Sequence, residues 1–251
     1  MFFSATLLPI QYYKDLLSTD KENYAIYAES TFKQEQRLLA FGTDVSTKYT
    51  RRNDGEFRRI AEYIRKTIHC KKGNYMAFFP SYKLMHQVYD VFLELDGGLA
   101  ESVVQESGMN ELAREEFLAA FERPYETSFV AFCVMGGIFS EGIDLTNDKL
   151  IGAIVVGTGL PQISNEREIL KNHYDERSGN GFDYAFRFPG LNKVLQAAGR
   201  VIRTTEDRGV ILLLDERFLQ SDYQHLYPRE WSDRKVCCVD SIEKMLEEFW
   251  K

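Results

Sequence analysis

Two short stretches of this sequence carry side chains whose type and spacing could act on a charged ligand. In Gln196-Ala197-Ala198-Gly199-Arg200-Val201-Ile202-Arg203 the polar positions fall at i, i+4 and i+7, the repeat of one face of a helix. An amide and two guanidinium groups would then line a single stripe, with Val194, Leu195, Ala198 and Ile202 turned inward. Arginine is permanently charged and presents a planar fork of donors, a form suited to stabilising charge on a phosphoryl group in transfer. The same arginines could instead be solvated or pair with Glu206 and Asp207. The second stretch is Met135-Gly136-Gly137-Ile138-Phe139-Ser140-Glu141-Gly142-Ile143-Asp144, three glycines with polar groups between them at the end of an apolar run. In open α/β sheets ligands bind beyond the carboxyl ends of strands, where glycine lets backbone N–H groups approach a phosphate or sugar. A glycine-rich exit can also serve only to turn the chain.

Both stretches need a scaffold, and the hydrophobic pattern supplies one. Short β-branched or aromatic runs predict strands at Tyr24–Ala28, Tyr75–Phe79, Ser102–Gln105, Ser128–Val134, Ile151–Val156 and Gly209–Leu214. Between them, apolar stripes at helical spacing predict helices over Glu56–His69, Tyr82–Leu95, Glu111–Phe121, Gln162–Tyr174, Leu191–Ile202 and Ile242–Trp250. This alternation is the pattern of a parallel sheet covered by helices on both faces. No internal repeat or low-complexity linker divides the chain, so one α/β domain is the economical reading, with the first dozen residues resembling the tail of a preceding unit.

Composition narrows the function classes. Hydrophobic residues at 44% and charged residues at 27% of 251 residues fit a globular fold with a substantial core. The longest apolar runs, such as Val210–Leu214 and Phe129–Met135, fall far short of the roughly 20 residues a bilayer span needs, so no membrane partner is expected. The apolar start lacks a basic n-region and soon meets Lys14 and Asp15, unlike a secretory signal. A cytoplasmic setting is expected. Four cysteines and four histidines are scattered without ligand spacing, so no metal site is proposed. The net charge of −7 argues against coating nucleic acid by bulk electrostatics. Locally, however, residues 48–72 hold nine basic side chains against three acidic ones, which reads either as a solvated helix face or as a phosphate-tracking surface.

Taken together these segments resemble the DinG/XPD-like branch of superfamily 2 ATP-dependent DNA helicases, in the right order along most of the chain. Phe3-Ser4-Ala5-Thr6-Leu7 is similar to helicase motif III, and Phe78-Phe79-Pro80-Ser81-Tyr82 to motif IV. Ser140-Glu141-Gly142-Ile143-Asp144 is similar to motif V, and Gln196 through Arg203 to motif VI. The resemblance implies a RecA-like three-layer αβα sandwich with a mostly parallel central sheet. It places the end of a first RecA-like domain, or a linker, at residues 1–15, and the second RecA-like domain at 16–251. Gln196, Arg200 and Arg203 would reach the γ-phosphate of ATP, the two arginines acting as fingers. Gly142 and Asp144 would touch nucleotide, whereas Ser81, Tyr82, Ser140 and Glu141 would lie at single-stranded DNA. Both guanidiniums are expected to project from one rigid helix at the mouth formed by the strand ends.

Departures from the pattern are equally informative. No G-x-x-x-x-G-K-[ST] loop and no D-E-x-H box occurs, so the groups that cradle the β- and γ-phosphates and hold Mg²⁺ are absent. The chain is therefore expected to be inactive alone, as a C-terminal fragment whose ATP site is shared with an N-terminal RecA-like domain of the same protein. The iron–sulfur cluster of many relatives would sit in that other domain. The competing reading is a non-catalytic module of a DinG-family exonuclease, kept for DNA or protein docking. An ordinary metabolite enzyme would need its own acid–base pair in a cleft, and the sequence offers none.

Overall fold

A computed structural model describes residues 4, 6–18, 22–139 and 149–251 of the chain. Its strands are β1 (Arg37–Gly42), β2 (Asn74–Phe79), β3 (Glu101–Val104), β4 (Phe129–Val134), β5 (Gly152–Val156), β6 (Gly209–Leu214) and β7 (Lys235–Cys237). They form one seven-stranded sheet in the order β3-β4-β2-β5-β6-β1-β7, and every pairing is parallel. Parallel neighbours need crossover connections, and helices on the sheet faces supply them.

Helices α2 (Asp54–Cys70), α3 (Tyr82–Asp96) and α8 (Ile242–Trp250) share one face of the sheet, and α1 (Ile10–Leu17), α4 (Glu111–Ala119), α5 (Asn165–Ser178) and α6 (Phe188–Ala198) the other. A short α7 (Ser221–Gln224) follows β6. Strand side chains alternate between two cores, as a period of two requires. Tyr75, Ala77 and Phe79 of β2 face α2 and α3, while Met76 and Phe78 join the opposite core. Helix starts are fixed by side-chain caps: Asn53 accepts from the Glu56 N–H, Ser81 from Leu84 and Ser164 from Arg167. The architecture is the expected RecA-like α/β sandwich, with a sheet that is parallel throughout.

The sequence reading departs from the structure at the sheet's β1–β7 side. Residues Tyr24–Ala28, expected as a strand, have no regular secondary structure, and Tyr24 and Ile26 are each 88% exposed. The strand there is β1, a buried run enclosed between β6 and β7. Its Leu38-Leu39-Ala40-Phe41 has no alternation to mark it, because both faces are covered. Helix α6 also begins earlier than expected. A π-helical turn at Asp183–Arg187 leads directly into Phe188.

Phe132 on β4 holds the α2/α3 core together. It is fully buried, with ring centroids 5.9 Å from Phe79, 4.9 Å from Tyr89 and 5.2 Å from Phe92. Phe132→Ala is expected to cost about 3–5 kcal/mol through cavity formation, read as a lower urea midpoint with unchanged slope. Tyr24→Ala, on the exposed segment, is expected to stay within about 0.5 kcal/mol of the parent.

Candidate functional site

The arginine-bearing segment is built by α6 and what stops it. At the carboxyl end of β5 the chain passes through Gly159, whose φ is +68°, and a Cβ there would come within 2.6 Å of the Gly190 carbonyl oxygen. Glycine at both positions lets α6 start in contact with the strand exit. The helix then runs back toward the strands' amino ends, where Val201 lies against Gly209, the first residue of β6, and Gly209 also abuts the Ile151 carbonyl just ahead of β5. Arg200 and Arg203 are therefore carried by a segment at the amino edge of the sheet, opposite the carboxyl mouth where the sequence reading expected them.

Nor do they share a helical stripe. Gln196 is on α6, but the helix ends at Ala198, Arg200 falls in the following turn and Arg203 in a loop. Gly199 is a poor helix former. Beyond it, the Asp207 carboxylate accepts the backbone N–H groups of Arg203 and Thr204, both at 2.7 Å, offering those donors an alternative to helical carbonyls. Gln36, just ahead of β1, donates to the Thr205 and Asp207 carbonyls at 2.7 and 2.9 Å. The segment is thus pinned without being helical. Gln196 and Arg200 are half-buried and Arg203 is exposed.

The carboxyl edge gathers the other candidates. Ser81, two residues beyond β2, is the N-cap of α3, its hydroxyl accepting from Leu84 N–H at 3.3 Å, which leaves the hydroxyl proton available as a donor. Tyr82 follows in the first turn, and Gln105 Nε2 donates to its hydroxyl at 3.0 Å. Gln105 is 2% exposed, and its Oε1 accepts from Val134 N–H at 2.9 Å. That one amide ties together the ends of β3 and β4 and the start of α3. Its role is invisible in sequence, since a lone glutamine carries no spacing signal. Ser140, Glu141, Gly142 and Asp144 lie outside the described residues.

A second polar group sits at the ends of β1 and β6. Asp215 is fully buried, accepting from Thr47 Oγ1 at 2.6 Å and Thr47 N–H at 2.9 Å, and pairing with Arg217 at 2.7 Å. Burial alone would raise its pKa, but the Arg217 hydrogen bonds and charge, helped by Thr47, hold it below the ordinary carboxylate value. The basic run at 48–72 largely feeds such internal pairs. Lys48 and Arg51 meet Glu216, Arg51 and Arg59 meet Glu56, Arg58 meets Glu62 and Lys66 meets Glu243. Much of its charge is therefore compensated within the fold.

A family model described as the helicase C-terminal domain matches residues 64–234. The chain belongs to this family, in its DinG/XPD-like superfamily 2 branch. The ATP-dependent DNA helicase XPD of Sulfolobus acidocaldarius is 26% identical over 227 residues, which cover 87% of this chain and 39% of that protein. Regulator of telomere elongation helicase 1 of Bos taurus is 27% identical over 225 residues, covering 82% of this chain and 18% of that protein. Among solved structures, XPD_APO superposes with a TM-score of 0.70 at 22% identity, over 94% of this chain and 47% of the other. XPD_Helicase gives 0.69 at 23% identity, over 93% and 42%. At such identity the superpositions speak for the fold, and this helicase domain spans less than half the length of these relatives.

The depressed pKa of Asp215 fixes the sign of a pH effect. A carboxylate whose folded pKa lies below its unfolded value of about 3.9 contributes stability above that pH and loses it as pH falls through the folded pKa. Asp215→Asn is expected to lower the melting temperature near neutral pH, with the gap from the parent closing below about pH 4. Thermal melts followed by circular dichroism across that range check it, and a gap independent of pH would contradict the assignment.

Proposed function

We propose that this chain is the second motor domain of an ATP-dependent DNA helicase acting in repair or recombination. Residues 16–251 form that domain, and residues 1–15 are the end of the first RecA-like domain or the linker from it. The first domain holds ATP and Mg²⁺, and this one supplies Arg200 and Arg203 as fingers, with Gln196 beside them. The observation that carries this reading is the pinned segment at the amino edge: Arg203 is exposed while its own backbone N–H is held by buried Asp207. A guanidinium borne on backbone anchored in this way can meet a phosphate presented by another body without the loop first having to be ordered.

Fingers borne by a separate domain reach the γ-phosphate only when the cleft closes, so hydrolysis becomes coupled to domain movement. Single-stranded DNA lies along the other edge, at Ser81 and Tyr82. There the start of the fifteen-residue helix α3 adds backbone N–H groups and a positive dipole end suited to a backbone phosphate. By their likeness to motif V, Ser140 and Glu141 are assigned to DNA and Gly142 and Asp144 to nucleotide. Division of labour between the two edges lets one domain sense the nucleotide and hold the strand at once.

In the longer protein containing both motor domains, Arg203→Ala or Arg200→Ala is expected to reduce DNA-stimulated ATP turnover by about 10³-fold or more. The melting temperature should stay near that of the parent. The present chain alone is expected to show no turnover. Parental ATPase rates in both variants would sink the finger assignment, and ATP hydrolysis by the isolated chain would sink the shared site.

A further inference from the structure

At the carboxyl edge one exposed aromatic ring has a fixed seat and, beside it, a cation without an acidic partner. After β1 the chain runs through Thr47, whose N–H and hydroxyl bond to Asp215 at the exit of β6. Thr47 also lies against Gly157 at the exit of β5, where a Cβ would come within 2.6 Å of Thr47 Oγ1. One tight turn, Tyr49–Arg51, then leads to the Asn53 cap and α2. Tyr49 is 83% exposed and belongs to neither apolar core.

Arg52 lies beside that ring. Its Nε donates to the Thr47 carbonyl at 3.2 Å, and its guanidinium carbon is 5.8 Å from the centroid of the Tyr49 ring, within the range of a cation–π contact. The neighbouring cations are neutralised inside the fold, Lys48 by Glu216 and Arg51 by Glu56, each at 2.9 Å. Arg52 has no acidic partner among the described residues, and its two terminal amino groups make no hydrogen bond there. A single exposed ring on a surface needs no explanation. A ring flanked by an uncompensated guanidinium, on a turn fixed at both ends, matches the chemistry of a single nucleic-acid strand, in which every base offers a flat face and every link a charge.

The sheet register connects this turn to Ser81. Strand β5 lies between β2 and β6, with Phe78 opposite Val155, so Ser81 and Gly157 leave adjacent strands about one residue apart in height. Strands β6 and β1 follow, which puts the exits of β2 and β1 three strand spacings apart, roughly 15 Å.

We propose that Tyr49 and Arg52 form a base-stacking site for single-stranded DNA, with a base on the face of Tyr49 away from Arg52 and the adjoining phosphodiester on the Arg52 amino groups. This site rests on the DNA-track reading above and extends it from Ser81 past β5 and β6 to β1. Its two halves respond differently: stacking requires a base and releases no counterion, whereas the guanidinium contact requires a phosphate and does.

Fluorescence anisotropy of a labelled oligothymidylate with the full-length protein, across a range of salt concentrations, separates the two. Tyr49→Ala should weaken binding about 5-fold or more with an unchanged slope of log affinity against log salt, and Tyr49→Phe should restore the parental affinity. Arg52→Gln should make the slope shallower by about 0.7, the share of one phosphate contact on a single strand. On an oligonucleotide of abasic sites, which keeps the phosphates and lacks the bases, the loss in Tyr49→Ala should vanish while the change in Arg52→Gln persists. Parental affinity in Tyr49→Ala, or a parental slope in Arg52→Gln, would overturn the site and leave the track at Ser81 standing. A Tyr49→Ala loss that persisted on the abasic strand would do the same. Failure of the parent itself to bind the oligothymidylate at low salt would overturn both.

Discussion

All seven strands point the same way, and that constraint determines where the candidate groups among the described residues can be. A parallel sheet sends the carboxyl ends of its strands to one edge and the amino ends to the other, and each crossover helix must run back between them. Whatever directly follows a strand lies at the first edge, and the last helix of a crossover brings the chain to the second. Ser81 and the Gly136 exit follow strands, whereas Arg200 and Arg203 follow α6. The topology thus sets Ser81 and Arg203 at opposite edges of the sheet, the separation on which the proposed division of roles rests.

At both edges the candidate groups are held in place by other polar side chains of the fold. Asp207 and Gln36 fix the loop after α6 through its backbone. Gln105 joins β3, β4 and α3 by two side-chain hydrogen bonds. Asp215, Thr47 and Arg217 lock the ends of β1 and β6. Asp207, Gln105, Thr47 and Asp215 are buried, and removing any of them would leave partners unsatisfied at a cost of about 1–3 kcal/mol. Such positioning residues sit on elements that the sheet already holds rigid, which is how a fold keeps a charged group in place before its ligand arrives.

The sequence was informative where local pattern and tertiary context agree. The apolar stripes of α2, α3 and α8 and the β-branched runs of β5 and β6 are found as expected, because amphipathic burial on a sheet imposes those periods. It misled where a single residue overrides a pattern. The i, i+4, i+7 spacing of Gln196, Arg200 and Arg203 suggested one helix face, but Gly199 and the Asp207 carboxylate break the helix after Ala198. Tyr24–Ala28 has strand-like residues but no strand position, and the buried β1 lacks the alternation that would have revealed it. Gln105 could not have been singled out, since its significance lies in which distant strand ends it meets.

The most direct measurement is a crystal structure of the two-domain protein bound to a non-hydrolysable ATP analogue and a short oligonucleotide. The expected result has the γ-phosphate about 3 Å from a guanidinium nitrogen of Arg200 or Arg203, at the amino end of β6, with the oligonucleotide crossing the carboxyl ends of β2 and β4. A nucleotide seated instead at those carboxyl ends, with both arginines remote from its phosphates, would contradict the assignment of the two edges.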